Sequence, residues 1–198
     1  MSDLHERVEQ LLASYDPQTT TSAEFLAAQF DQGLAWVHFP EGKGGLGLAR
    51  GRQLEVDALL DAAGAPRPDL GRNSIGLGMA APTILAFGSE EMQQRYLRPL
   101  FAGTEVWCQL FSEPGAGSDL AAVATRAERH GDDFVLTGRK RWIGNAKAAD
   151  FIQVLVRTAD PEPGEKRSAG LATLLVEKDP GTFPAGLTGS PIDKIGYH

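Results

Sequence analysis

Two stretches carry the residue types that could do chemistry: Trp107–Asp119, WCQLFSEPGAGSD, and Lys140–Asn145, KRWIGN. In the first, an apolar run breaks at Ser112-Glu113-Pro114 into a small-residue loop that keeps the hydroxyls of Ser112 and Ser118 and the carboxylates of Glu113 and Asp119. Loops of this composition let backbone N–H groups approach a phosphate or an electron-rich ring edge closely. The second stretch delivers a single tryptophan, Trp142, whose ring offers a flat face. Together they point to a planar cofactor with a phosphate tail. Glu113 and Asp119 could in principle form an acid/base pair. A carboxylate beside a proline and another after a serine more commonly fix loops and cap turns, and that is the stronger reading. Cys108 sits mid-strand with no cue for thiolate activation and reads as a packing residue. The histidines at 5, 38, 130 and 198 have no metal-ligand spacing, so no metal site is expected.

The elements that must position these stretches change character partway along the chain. Leu4, Val8, Leu11, Leu12 and Tyr15 recur at helical spacing, with Ser2 or Asp3 placed to cap. Ser22 is placed to cap a second helix closed by Gly33, and Leu54–Ala62 predicts a third. Ser74–Phe87 reads as a buried small-residue helix. Ser89 caps an amphipathic helix with Met92, Tyr96, Leu97 and Leu100 on one face, ended by Gly103. Beyond Gly103 the period becomes two. Strands are expected at 106–111, 123–129, 134–137, 151–157 and 171–177, with 138–143 continuing as strand toward Trp142. The predicted fold class is therefore α+β: an all-helical domain over residues 1–104, then an antiparallel β-barrel or sandwich over 105–198.

Gly42-x-Gly44-x-x-Gly47 spells a dinucleotide-binding fingerprint, and Leu34–Phe39 could be the strand it needs. Two helical patterns precede it, no strand–helix repeat follows, and Glu41 sits where a pyrophosphate would lie. A structural loop is the stronger reading. Charged residues make up 23% of the chain and apolar ones 42%, ordinary for a soluble globular protein. A net charge of −7 argues against nucleic acid or an anionic membrane as partner. The charged N-terminus is no signal peptide, no run is long enough to span a bilayer, and a single cysteine fits a reducing cytoplasm.

With these pieces in order, the chain resembles the N-terminal and middle domains of acyl-CoA dehydrogenases. The matching residues are Pro40-Glu41 with Gly44–Gly47, Phe87–Glu91 with Gln94–Leu97, and above all CQLFSEPGAGSD with KRWIGNAKAADF. The resemblance implies FAD, with Gln109, Phe111, Ser112, Gly117, Ser118, Trp142, Ile143 and Gly144 lining it, and Ser118 alternatively meeting the acyl-CoA. It also implies α,β-desaturation of an acyl-CoA thioester, with electrons passing to an electron-transferring flavoprotein or to oxygen. Many members carry threonine or serine where this chain has Gly144, and the RWIGN version resembles short-chain acyl-CoA oxidases. The family's catalytic glutamate lies on a C-terminal helical bundle that is not in these residues. No catalytic residue is therefore expected here, and the reading as a truncated, non-catalytic subunit or a flavin- or acyl-CoA-binding fragment stands beside the enzyme reading. Homo- or hetero-oligomers built through that bundle are expected.

Overall fold

The computed structural model describes residues 3–192, which divide after Trp107 into two compact units. The first is helical: α1 (Asp3–Ser14), α2 (Ser22–Asp31), α3 (Gln53–Ala62), α4 (Leu70–Ile75), α5 (Ala81–Phe87) and α6 (Glu90–Ala102). Leu4, Val8 and Leu11 recur every three or four positions and so fall on one face of α1. They bury against Phe25 and Ala28 of α2 and Val56 and Leu60 of α3. Ser2, one of the expected caps, lies outside the described residues. The cap of α2 is Thr21 rather than Ser22, because only Thr21 stands three residues before Glu24, and the two bond reciprocally as a capping box. Ser89 caps α6 through the N–H of Met92, and Gly103 ends it in the left-handed conformation that a side chain resists.

The segment 34–48 is a packed loop, not a strand and phosphate turn. It folds back on itself through bonds from Leu46 and Leu48 N–H to the Val37 carbonyl and from Gly47 N–H to that of Phe39. Trp36 and Phe39 stack at 4.7 Å, and Trp36 meets Phe101 edge-on at 4.9 Å. Of the three spaced glycines, Gly44 packs where a side chain would strike Phe30, while Gly42 and Gly47 take left-handed turns (φ 75° and 66°).

The helix expected over 74–87 forms, with helical winding running through it, and the residue that leaves helical geometry stands just before it. Asn73 leaves helical geometry (φ −130°, ψ 34°), Gly76–Ala80 winds as a π-turn, and Pro82 opens α5. The kink at Asn73 goes with the bonds of its side chain. Buried, it donates to the carbonyls of Leu100 (3.1 Å) and Glu105 (3.0 Å) and accepts from the N–H of Trp107 (2.9 Å). One amide thus ties α4 to the end of α6 and the start of the next strand. Much of the segment faces solvent, Phe87 being 88% exposed.

The second unit is built on β1 (Trp107–Leu110), β2 (Arg126–His130), β3 (Asp133–Thr137), β4 (Phe151–Arg157) and β5 (Leu171–Glu177). They form a five-stranded sheet in the order β1-β4-β2-β3, with β5 also paired to β4. Every residue of β4 is buried, as befits the strand that all but β3 lean on. The sheet is mixed, not antiparallel, and does not close into a barrel. β2–β3 and β4–β5 are antiparallel, but β2 meets β4 in parallel at Arg126 and Arg157. The reason lies in residues 138–150. A chain that leaves β3 and must reach the far side of β2 needs a crossover of about a dozen residues. That crossover contains the 138–143 segment expected as strand. β3 is the sheet's edge, and its Phe134, Val135 and Leu136 are all exposed.

Replacing Asn73 by Ala strands the Trp107 N–H and two carbonyls. It should lower the free energy of unfolding by about 3 kcal/mol in urea titrations. Thr21→Ala, which removes only a helix cap, should cost about 1 kcal/mol.

Candidate cofactor-binding site

Pro114 presets the first turn after β1, where Glu113 and Ala116 exchange backbone bonds of 2.8 and 3.2 Å. The turn's position is set by Glu113. Its carboxylate accepts from the N–H groups of Ala124 (2.8 Å) and Thr125 (3.0 Å), from the Thr125 hydroxyl and from Lys140 Nζ (2.8 Å). Lys140 spends its other two donors on the carbonyls of Phe111 (3.1 Å) and Leu155 (2.6 Å). The two side chains are only 7% and 6% exposed. Burial is the largest single influence on Glu113 and opposes its ionisation. The bonds from Lys140, Thr125 and the Ala124 and Thr125 amides together outweigh it and hold the carboxyl at about 2. Lys140 moves the other way: burial lowers it more than Glu113 raises it. The ionised pair stands because every donor and acceptor in it is satisfied. Glu113 therefore fixes a loop and is not a free general base.

This pair brings the two sequence stretches together. Besides the Lys140 bond to Phe111, the Arg141 N–H bonds the Ser112 carbonyl at 2.8 Å. Gly138 permits the approach, since a side chain there would collide with Thr125. Trp142 follows directly with φ 60°, a left-handed geometry that costs an aromatic residue about 1–3 kcal/mol. Its ring is 62% exposed, with the Arg141 guanidinium 4.2 Å from its centroid. Ile143 is half-buried, Gly144 and Asn145 are exposed, and Asn145 is again left-handed (φ 59°). Gly117 and Ser118 lie exposed beyond the 113–116 turn.

A flavin suits these residues on three counts. Gln109 Oε1 is buried without a partner and could accept from a ring N–H. Trp142 presents an aromatic surface held in strained geometry. Around Gly115, Gly117 and Gly144 there is open space where a Cβ would stand. Cys108 is inert by contrast, its thiol pushed up to about 11 by burial. Asp119 pairs with Arg167 at 2.7 Å on the surface. No group of His, Cys, Asp or Glu among the described residues is arranged to hold a metal, and no described helix is long and apolar enough to cross a membrane.

Sequence reasoning gave Lys140 no role of its own within its stretch and passed over Arg157 and Lys178. Arg157, buried at the end of β4, donates to the carbonyls of Ala121 (2.8 Å), Val123 (3.1 Å), Arg167 (3.1 Å) and Ala169 (3.0 Å). It lines an open pocket of about 310 Å³ together with Arg126, Asp160 and Arg167. The one available signal was a basic residue closing an otherwise apolar strand pattern.

A helical unit followed by a mixed sheet is the domain arrangement of the acyl-CoA dehydrogenase N-terminal and middle domains. Residues 4–104 match the acyl-CoA dehydrogenase N-terminal domain and residues 108–198 the middle domain. The chain belongs to the acyl-CoA dehydrogenase family, which uses FAD. It is 44% identical over 147 residues to acyl-CoA dehydrogenase IpdE1 of Mycobacterium tuberculosis, covering 74% of this chain and 37% of that protein. The ChsE4-ChsE5 complex from Mycobacterium tuberculosis is similar in structure: TM-score 0.58, 29% identity, 89% of this chain and 47% of that one. A glutaryl-CoA dehydrogenase from Mycobacterium smegmatis in complex with FADH2 gives a TM-score of 0.55 at 26% identity, covering 89% and 45%. The chain spans well under half the length of the curated relatives it matches.

A carboxyl held low in the folded state contributes stability that is fully present above its ordinary value of 4.5 and is lost as pH falls toward about 2. Acid titration of unfolding free energy should show that loss in the wild type. Glu113→Gln should flatten it and cost about 3 kcal/mol at neutral pH by leaving Lys140 buried without its counter-charge.

Proposed function

We propose that this chain is the FAD-holding portion of an acyl-CoA dehydrogenase that desaturates the α,β bond of an acyl-CoA thioester. The observation that carries the reading is the Glu113–Lys140 pair, which sets an exposed, strained Trp142 beside the Ser112 loop. In this reading Gln109, Phe111, Ser112, Trp142, Ile143 and Gly144 line the flavin, Gly117 admits its pyrophosphate, and Ser118 bonds either that pyrophosphate or the acyl-CoA. FAD, when bound, supplies the acceptor for the hydride that leaves the acyl chain. The chain's own contribution is orientation and charge: Trp142 packs on the ring and backbone donors meet the edge where negative charge grows. The arginine-lined pocket suits the phosphates of a coenzyme A, since the Arg126–Asp160 and Arg167–Asp119 pairs at the surface can exchange partners. The proton-abstracting carboxylate is supplied from outside these residues. Oligomers pairing the chain with another subunit, or with a bundle of its own, complete the site.

Titration with FAD should give flavin absorbance near roughly 450 nm and quenching of flavin fluorescence. Trp142→Ala should weaken binding about tenfold, the value of one aromatic contact. Unchanged affinity in that variant would remove Trp142 from the site.

A second reading concerns the electron acceptor. Gly144 is exposed and lacks the hydroxyl that threonine or serine would place there, which favours oxygen over an electron-transferring flavoprotein. Hydrogen peroxide should then appear in air, without added acceptor, once the chain is assembled with its bundle and given acyl-CoA. Gly144→Thr should suppress it.

A further inference from the structure

Lys178 is a buried cation to which the proposed reaction gives no part. It follows β5 directly and is 8% exposed. An ammonium has three donors, and here all go to backbone carbonyls: Lys147 (3.0 Å), Ala149 and Asp179 (3.1 Å). Lys147 and Ala149 belong to the turn that closes the Trp142 loop. Within that turn the Asn145 carbonyl accepts from Ala148 (3.0 Å) and Ala149 (2.9 Å), and Gly181 N–H adds a bond to the Lys147 carbonyl (2.7 Å). Lys178 itself is held by the sheet. Its N–H bonds the Asp150 carbonyl at 2.9 Å, carrying the β4–β5 ladder one step past the Phe151–Glu177 pair.

Residues 141–146 therefore hang between two buried lysines, Lys140 on one side and Lys178 on the other. Trp142 and Asn145 both take left-handed backbone. Such geometry relaxes unless both ends of the segment are fixed. Burying an ammonium on neutral carbonyls carries a large desolvation cost, which a turn with no positional task would not require. We propose that Lys178 is a positioning residue for Trp142, referencing the tryptophan loop to the rigid centre of the sheet from the side opposite Lys140. This rests on the flavin reading only for its consequence, the orientation of Trp142 toward the ring.

The test is made first on the full chain without flavin, by the indole N–H resonance of Trp142 and amide exchange at Ala148, Ala149 and Gly181. Lys178→Met should move the indole resonance and lower protection of those amides about tenfold, while Val154 and Leu174 in the ladder stay protected. Lys178→Gln keeps two donors and should shift the same signals less. It provides the reading if the methionine variant does not fold. Leu174→Ala weakens β5 away from the turn and should leave the Trp142 indole in place. An unmoved indole with full amide protection in Lys178→Gln overturns the proposal, as does an equal shift in Leu174→Ala. With FAD added, Lys178→Met and Trp142→Ala should each weaken binding, and together no more than Trp142→Ala alone. A wild type that binds no FAD would defeat the flavin reading and leave the turn measurement standing.

Discussion

The second unit is organised around one buried ion pair. Glu113 and Lys140 come from loops far apart in sequence, and neither could be buried without the other. Glu113 draws in the amides of residues 124 and 125, and Lys140 draws in the carbonyls of 111 and 155. Four segments of chain thus meet at a few charged atoms. A hydrophobic pair of the same volume would fill the space, but it would not specify which carbonyl faces which loop. Directional bonds do.

What this pair holds is a segment that does not follow local preference. Residues 138–143 have the composition of a strand, yet Lys140 turns inward and Trp142 adopts a backbone angle that no strand allows. The crossover that results makes β4 return beside β2 in parallel. The mixed sheet and the exposed tryptophan therefore share a cause. The first unit uses the same strategy in neutral form: Asn73 gives up a helical angle to satisfy three backbone groups, and the chain kinks just before the helix over 74–87.

Local physics made much of this legible in advance. The apolar spacing of Leu4, Val8 and Leu11, the Ser89 cap and the stop at Gly103 mark helices through interactions within a few residues. Strands β4 and β5 were readable because dense β-branched and leucine runs have few other fates. The SEPGAGSD loop was readable as a tight small-residue turn, which the Glu113–Ala116 exchange forms. Long-range partners were not readable. Nothing near Glu113 in sequence names Lys140, nothing near Lys178 names Ala149, and the antiparallel expectation failed because sheet order depends on where the crossover lands. The Thr21 cap was within reach, since Glu24 three residues on is the cue that Ser22 lacks.

The edge strand β3 sets a condition on the unit's behaviour in crowded solution. Its outer backbone groups have no neighbouring strand in the sheet, and Phe134, Val135 and Leu136 put apolar surface on both of its faces. A strand like this is a template on which another chain can nucleate. Asp132 and Asp133 precede the apolar run and Arg139 follows it, all exposed. These charges are the gatekeepers that keep such an edge from recruiting copies of itself. Colloidal stability here therefore depends on a few charged side chains at the ends of one short strand, the last of them directly preceding Lys140.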